Sequence, residues 1–451
     1  MKRLLSLLII VAMIAGTLVG CGTAKPSESQ NPSTATPTAT SGAGNEPAKP
    51  KEIYWLAPGV GEKSWEGLMV PVLEKYYEKT GVKVIGEHYA YKDLMEVIEV
   101  KIASGSADYD VITVDSPLVA AYASRGYLLP MSKYFKEAEL SELTKASVDA
   151  GTWNNEFYSP PLTSSAQVLW YNTDLLKQAG VTIRDNDANN RLTYEEVADL
   201  AKEVLKVVNP DGKNGIFGLD FQQVSRVYQM NPLANSRGGL NIGEGGLTLE
   251  GVLDSEPWIS SLTWYQDMVK SGLATRGIPA DELPNYFYSD KLVFMIGASY
   301  IGTNCDANGM NHYGYTYLPA FKGFENSVGS ATGSWGFGIN KASKNPDEAA
   351  EFIKFLSLGE GNDMWLQIRG EMPSRNSVLE KIMADESAKG YLKIGAFEAM
   401  NTAVTRAVTP AYNEYSTIMD NLWEDIRNGT DVKSSVTNAI NQFNTAVKAY
   451  K

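Results

Sequence analysis

The chain has 451 residues, 43% of them hydrophobic, and its 53 acidic against 40 basic side chains give a formal charge of −13 at pH 7. That balance argues against nucleic acid or another polyanion as partner, because the protein's own field repels one. Two cysteines and two histidines are too few for a disulfide framework or a structural zinc site, so no metal and no cofactor are expected, and His88 and His312 are read as surface or hydrogen-bonded residues.

Lys2 and Arg3 precede the apolar run Leu4 to Ala15, and Leu18-Val19-Gly20 leads into Cys21. A basic head, a short apolar middle and a small residue before the cut mark an export signal. The run falls short of the roughly 20 residues a membrane span needs. Leu-Val-Gly-Cys resembles the lipobox of bacterial lipoproteins, which implies cleavage before Cys21 and lipidation of its thiol; an ordinary signal peptide with an incidental cysteine is the alternative. Residues 1–20 are therefore expected to be a lipoprotein signal peptide. Residues 21–50 are Ser, Thr, Pro, Ala and Gly with almost nothing to bury, and are expected to be a disordered tether. Maturation would leave Cys305 as the one free thiol, with no intramolecular disulfide. About 400 residues remain, enough for two lobes at roughly 100 to 200 residues per domain.

Along that remainder, EIYWLAP reads as a strand that ends in the Gly-rich loop GVGEKSWEG. Leu68, Met69, Val72, Leu73, Tyr76 and Tyr77 then repeat at helical spacing, with Pro71 either starting or kinking the helix. VKVIG is a second strand, and Leu94, Val97, Ile98 and Ile102 mark a second helix. YDVITVD is a third strand, apolar enough to be buried on both faces. Ser116 as N-cap and Pro117 at the first helical position open the next helix. Strands alternating with helices predict an α/β lobe with a largely parallel sheet, whose ligands sit at the carboxyl ends of the strands. The loop Glu62 to Trp65 and Asp115 with Ser116 fall on that side. After the proline pair Pro160 and Pro161, QVLWYNTDLLKQAG predicts strand then helix, and Thr193 with Glu196 forms a capping box for the next helix. Asn209 to Gly246 yields few elements. PWISSLTWYQDMVKSG is a helix, KLVFMIGAS a strand, YGYTYLPAF an extended segment and GSWGFGIN a further strand. Asn345 and Pro346 start a helix, and two helical stripes finish the chain, one through Leu422 and Trp423, the other through Ile440 and Phe443.

The order and spacing of GEKSWEGLMVPVLEKYYEKTGVKV, YDVITVDSPLVAAYASRGYLLPMSKY, WNNEFYSPPLTSSAQVLWYNTDLLKQAG, YSDKLVFMIGASY, YGYTYLPAFKG and SWGFGINKASKNPDEAAEFIKFLS with RGEMPSR resemble the extracellular solute-binding proteins of bacterial ABC importers, in the carbohydrate-binding, maltose-binding-protein-like group. The resemblance covers residues 52 to 450. It implies a two-lobed periplasmic-binding-protein fold of class α/β, each lobe a mostly parallel sheet flanked by helices, with the ligand in the cleft between lobes joined by hinge crossings. Crossings are expected near Tyr158 to Leu162, Gly333 to Gly336 and Glu371 to Ser374. The N-terminal lobe would comprise 51–160 and 335–372, and the C-terminal lobe 161–334 and 373–451.

A sugar needs planar polar partners for its hydroxyls and an aromatic platform for its apolar ring face. The family pattern places Trp65, Tyr300 and Trp335 as platforms, with ordinary packing as the alternative for each, and Glu62 with Lys63 either as the acidic and basic pair that binds sugar hydroxyls or, equally, as a solvated loop pair. Asp115 ends a buried strand, where a carboxylate needs a partner or a helix N-terminus to face, and is read as a ligand contact. Arg369 precedes a Gly-Glu hinge and reaches either the cleft or an ion pair between lobes. Ser165, with Ser164 beside it, stands where the maltose-binding protein carries a ligand carboxylate, which argues against maltodextrin. Trp170, Trp264, Trp365 and Trp423 are assigned to packing. NPDGKNGIFG is faintly like a calcium loop but lacks the later carboxylate, and is read as an Asx turn. The expected function is a non-enzymatic, monomeric receptor on the extracellular face of the membrane, lipid-anchored, that passes a sugar or oligosaccharide to the transmembrane subunits of a permease by hinge closure. The alternatives are the same fold binding a peptide, polyamine or other small solute, and a secreted carbohydrate-active enzyme.

Overall fold

The computed structural model describes residues 51–333 and 335–450. The expected signal peptide, Cys21 and the tether lie outside the described residues.

Two four-stranded sheets organise the molecule. In the first, Lys51–Pro58 runs parallel to both Val82–Tyr89 and Val111–Asp115, and Trp335–Ile339 adds antiparallel to Val111–Asp115 at the edge. In the second, Phe217–Phe221 is parallel to Leu292–Ala298, while Gln167–Asn172 runs antiparallel to both Leu292–Ala298 and Tyr313–Thr316. The second sheet is therefore mixed. All seven residues of Leu292–Ala298 are buried, as an apolar run covered on both faces should be.

Local sequence explains most of the flanking helices. Thr193 and Glu196 form the expected reciprocal cap on Tyr194–Val208, whose buried face is Tyr194, Val197, Ala198, Ala201 and Val204. Pro71 occupies the second position of Val70–Thr80, where its missing N–H costs nothing, so it starts the helix and does not kink it. The expected N-cap at Ser116 differs: Asp115 flanks a 3₁₀ turn, Ser116–Leu118, before Val119–Ser124, and no side chain caps it. The Ser116 hydroxyl instead accepts from Arg406 Nη2 at 3.2 Å. Asn345 does precede Pro346–Ser357, but its amide donates to Asp110 Oδ1 at 3.3 Å and does not cap the helix. Within 209–246 the structure adds the strand Phe217–Phe221 and the short helices Val227–Met230 and Pro232–Asn235. Elements of four or five residues carry too little periodicity to be read from pattern alone.

The three segments expected as crossings hydrogen-bond to one another. Leu162 N–H donates to the Trp335 carbonyl at 2.8 Å, Phe337 N–H to the Pro160 carbonyl at 3.0 Å, and Ser164 N–H to the Met372 carbonyl at 2.7 Å. The path from first sheet to second is thus one strand of a three-ply ribbon. Among the described residues no helix is long and apolar enough to cross a membrane.

Candidate functional site

A cavity of about 350 Å³ opens over that ribbon, within the size range of small-ligand sites. Its floor includes Thr163, Ser164, Ser165, Gly333 and Met372 from the crossings. The first sheet contributes Asp115 and Trp335, which are direct cross-strand partners in the antiparallel pair. This register sets a carboxylate beside an indole at the carboxyl end of Val111–Asp115, a juxtaposition of residues 220 positions apart that only the sheet creates. The second sheet contributes Ala298, Ser299 and Tyr300 from the carboxyl end of Leu292–Ala298. An indole and a phenol therefore line one cavity from two different sheets.

Several of the lining polar groups have defined partners. Arg406 Nη2 donates to Asp115 Oδ1 at 2.7 Å, and Tyr91 OH donates to Asp115 Oδ2 at 3.2 Å. The Ser165 hydroxyl lies 2.6 Å from Tyr228 OH and accepts from Gly333 N–H at 2.7 Å. The Ser164 hydroxyl pairs with Thr332 at 3.1 Å. Tyr300 OH accepts from the Gln222 amide at 2.6 Å, and Gln222 Oε1 accepts from Ala298 N–H at 2.8 Å, which locks the start of the Tyr300 turn. Glu371 lines the cavity with its carboxylate steadied by the Trp365 indole N–H at 2.9 Å and by Arg369 at 3.0 Å. Burial pushes the Tyr228 phenol up to about 12, and burial also raises that of Tyr300, so both are neutral hydroxyls at physiological pH.

Of the nine sequence-derived ligand candidates, Asp115, Ser164, Ser165, Tyr300 and Trp335 line the cavity. Trp65 does not: it is 6% exposed and packs among Trp55, Trp365 and the edge of Trp335. Glu62 and Lys63 are exposed in their loop and outside the lining. Arg369 is exposed as well and pairs with Glu371, two residues on, so it acts on the cavity through that carboxylate. Sequence reading missed Gln223, Tyr228, Glu371 and Arg406. Glu371 lay within the quoted RGEMPSR segment, and Arg406 is a lone cation in the small-residue stretch NTAVTRAVTP; neither has a spacing that announces a site.

In the loop Asn209 to Gly215, Lys213 N–H donates to Asp211 Oδ1 at 3.2 Å and Asn209 Oδ1 accepts from Asn214 N–H at 3.2 Å, the bonding of an Asx turn. Among the described residues no three His, Cys, Asp or Glu side chains cluster as a metal site would require.

The chain is similar to several known sugar-binding proteins. The maltodextrin-binding protein MdxE of Bacillus subtilis (strain 168) is 21% identical over 97% of each chain. The GacH receptor of Streptomyces glaucescens, solved unliganded and with acarbose, superposes with a TM-score of 0.70 at 20% identity over 88% of this chain and all of its own. A cyclo/maltodextrin-binding protein solved with maltotetraose superposes with a TM-score of 0.74 at 18% identity over 90% of this chain and all of its own. These likenesses show the two-lobed fold. Residues 62–362 match the family model for bacterial extracellular solute-binding proteins, and the chain belongs to that family.

Proposed function

We propose that this protein captures a sugar or short oligosaccharide in the cavity over the crossing ribbon and delivers it to the permease subunits of an ABC importer. The observation that carries the reading is the pairing of Trp335 with Asp115 on one sheet while Tyr300 lines the same cavity from the other. Aromatic faces beside carboxylates and amides match the alternating apolar and hydroxyl faces of a pyranose. The relatives named above bind maltodextrin, acarbose or maltotetraose by their own descriptions. Here Ser165 is occupied by Tyr228 and Gly333, so that position offers no carboxylate to a ligand. A sugar other than maltodextrin fits this difference.

On the same reading residues 51–160 with 335–372 form one lobe, 161–334 with 373–451 the other, and a lipid on Cys21 holds a monomer at the outer face of the membrane. The receptor binds without turnover. The deciding experiment is a thermal-shift screen of the purified protein against a sugar panel, since a ligand specific for the folded state raises the melting point. Stabilisation by a sugar recovered uncleaved supports the proposal. Stabilisation only by amines or peptides, or cleavage of the sugar, overturns it. The lipid anchor is tested separately, by mass spectrometry of the amino-terminal peptide and by release of a Cys21→Ser variant from cells.

A further inference from the structure

We infer that Arg406 is a tie across the cavity that holds the two sides of the molecule together before any ligand arrives. The residue lies in the 402–411 connection between the helices Gly390–Asn401 and Tyr412–Arg427. The first of these packs on Gln167–Asn172 of the second sheet, and the second packs on Glu256–Lys270. The backbone of Ala403–Val404 pairs with Ser330–Ala331, which fixes the connection to the second-sheet side. Yet the guanidinium ends on the first sheet. Arg406 Nη2 donates to Asp115 Oδ1 at 2.7 Å and to the Ser116 hydroxyl at 3.2 Å, both at the carboxyl end of Val111–Asp115.

Three further observations set this pair apart from a surface ion pair. Both side chains are largely shielded, at 16% and 18% exposure, so salt screens their attraction less than it would on the surface. The guanidinium is held from the sides by the rings of Tyr228 and Tyr412, at 5.5 and 6.0 Å from their centroids, and both rings come from the second-sheet side. The neighbouring Thr405 makes a second bond across, its hydroxyl donating to the Ala146 carbonyl at 3.2 Å, in the stretch that precedes the Pro160 crossing. Two consecutive residues of one connection thus reach the opposite side, bonding to Asp115, Ser116 and Ala146, with Arg406 Nη2 also lying beside Gly333 of the ribbon. A contact placed there opposes bending of the ribbon, whereas contacts within the ribbon permit it.

The consequence is a bias of the ligand-free protein toward its closed arrangement. A receptor whose competent form is only partly populated shows its intrinsic affinity reduced by that fraction, and a tie that raises the fraction raises the apparent affinity without touching the solute. The inference deepens the solute-receptor reading, but its test needs no ligand, so the two can fail separately.

The test measures the distance between a pair of spin labels, one on each side of the cavity, together with the radius of gyration from X-ray scattering, in the ligand-free full-length protein. Arg406→Gln and Asp115→Asn should each lengthen the label distance and raise the radius of gyration. The double variant should do no more than either single, because both remove the same bond. Arg406→Lys, which keeps the charge, should restore part of the closed population. If Arg406→Gln does not fold, Asp115→Asn and Thr405→Val decide the matter from the other partners. Unchanged distances in these variants, or additive shifts in the double variant, overturn the inference.

Discussion

The ring of Trp65 meets that of Trp335 edge-on, with centroids 6.1 Å apart and planes at 65°. Trp65 is the buried member, and Trp335 is half-buried with one side on the cavity. The two indoles should therefore answer differently to truncation. Trp65→Ala is expected to destabilise the fold by about 3–5 kcal/mol in urea unfolding, the range for removing a large buried aromatic. Trp335→Ala should leave most of the stability in place and lower affinity for the best sugar at least about tenfold, or about 1.4 kcal/mol, by calorimetry. Full affinity in Trp335→Ala would remove it as a platform.

The ribbon should be intolerant of a methyl group at Gly336. A Cβ there would meet Ser159 Oγ at 2.5 Å and the Pro160 carbonyl oxygen at 3.0 Å. Since Leu162 and Phe337 hydrogen-bond across this point, the clash falls on the connection between sheets. Gly336→Ala is expected to cost about 1–3 kcal/mol of stability, the range for overpacking, and to weaken solute binding beyond that by misaligning Trp335. Chemical denaturation and titration on the same preparation separate the two effects.

Arg191 and Glu398 form a buried pair, with Nη1 to Oε1 at 2.6 Å and Nη2 to Oε2 at 3.2 Å, at 5% and 0% side-chain exposure. Removing one partner strands the other charge in the interior, which typically costs about 3–5 kcal/mol. Arg191→Met should show that loss in equilibrium unfolding. Arg191→Met with Glu398→Leu should recover part of it, since no charge is then left unpaired.

The capping box at Thr193 predicts a dependence on pH. The hydrogen bonds from Arg184 hold the Glu196 carboxyl below its usual range, with the Thr193 N–H adding to the effect. A depressed folded-state value means that the stabilisation is present above the unfolded value of about 4.3 and is lost as pH falls through the folded one. Glu196 is partly exposed, so its contribution at neutral pH lies within the ~0–1 kcal/mol of exposed ion pairs. Urea midpoints taken from pH 6 downward should fall less steeply below about 4.3 for Glu196→Gln than for the unchanged protein.

The local elements were legible because they are written in local chemistry. A run such as LVFMIGA, too short for a typical helix, reads as a buried strand, and Thr193 followed by Glu196 supplies both halves of a helix cap. Prolines at 160 and 161 marked a stiff passage, and hydrogen bonds from 162 and 164 to the two other crossings give that passage its structural role. The second sheet was less legible, because Phe217–Phe221 and the four-residue helices after it are shorter than the periods that reveal them.

Composition made certain residue types available to a cavity: indoles, a phenol, serines and carboxylates beside glycine-rich turns. Which of them share it was settled by sheet register and packing. Trp65 and Trp335 are alike as residues, but the register that sets Trp335 opposite Asp115 leaves Trp65 in the core behind it. Glu62 and Lys63 are a charged pair like Asp115 and Arg406, yet the first pair faces solvent and the second lines the cavity. The difference is one of range. Propensity and capping act within a few residues, while a binding cavity is assembled from contacts between segments hundreds of residues apart, whose choice of partner depends on sheet register and on what burial permits.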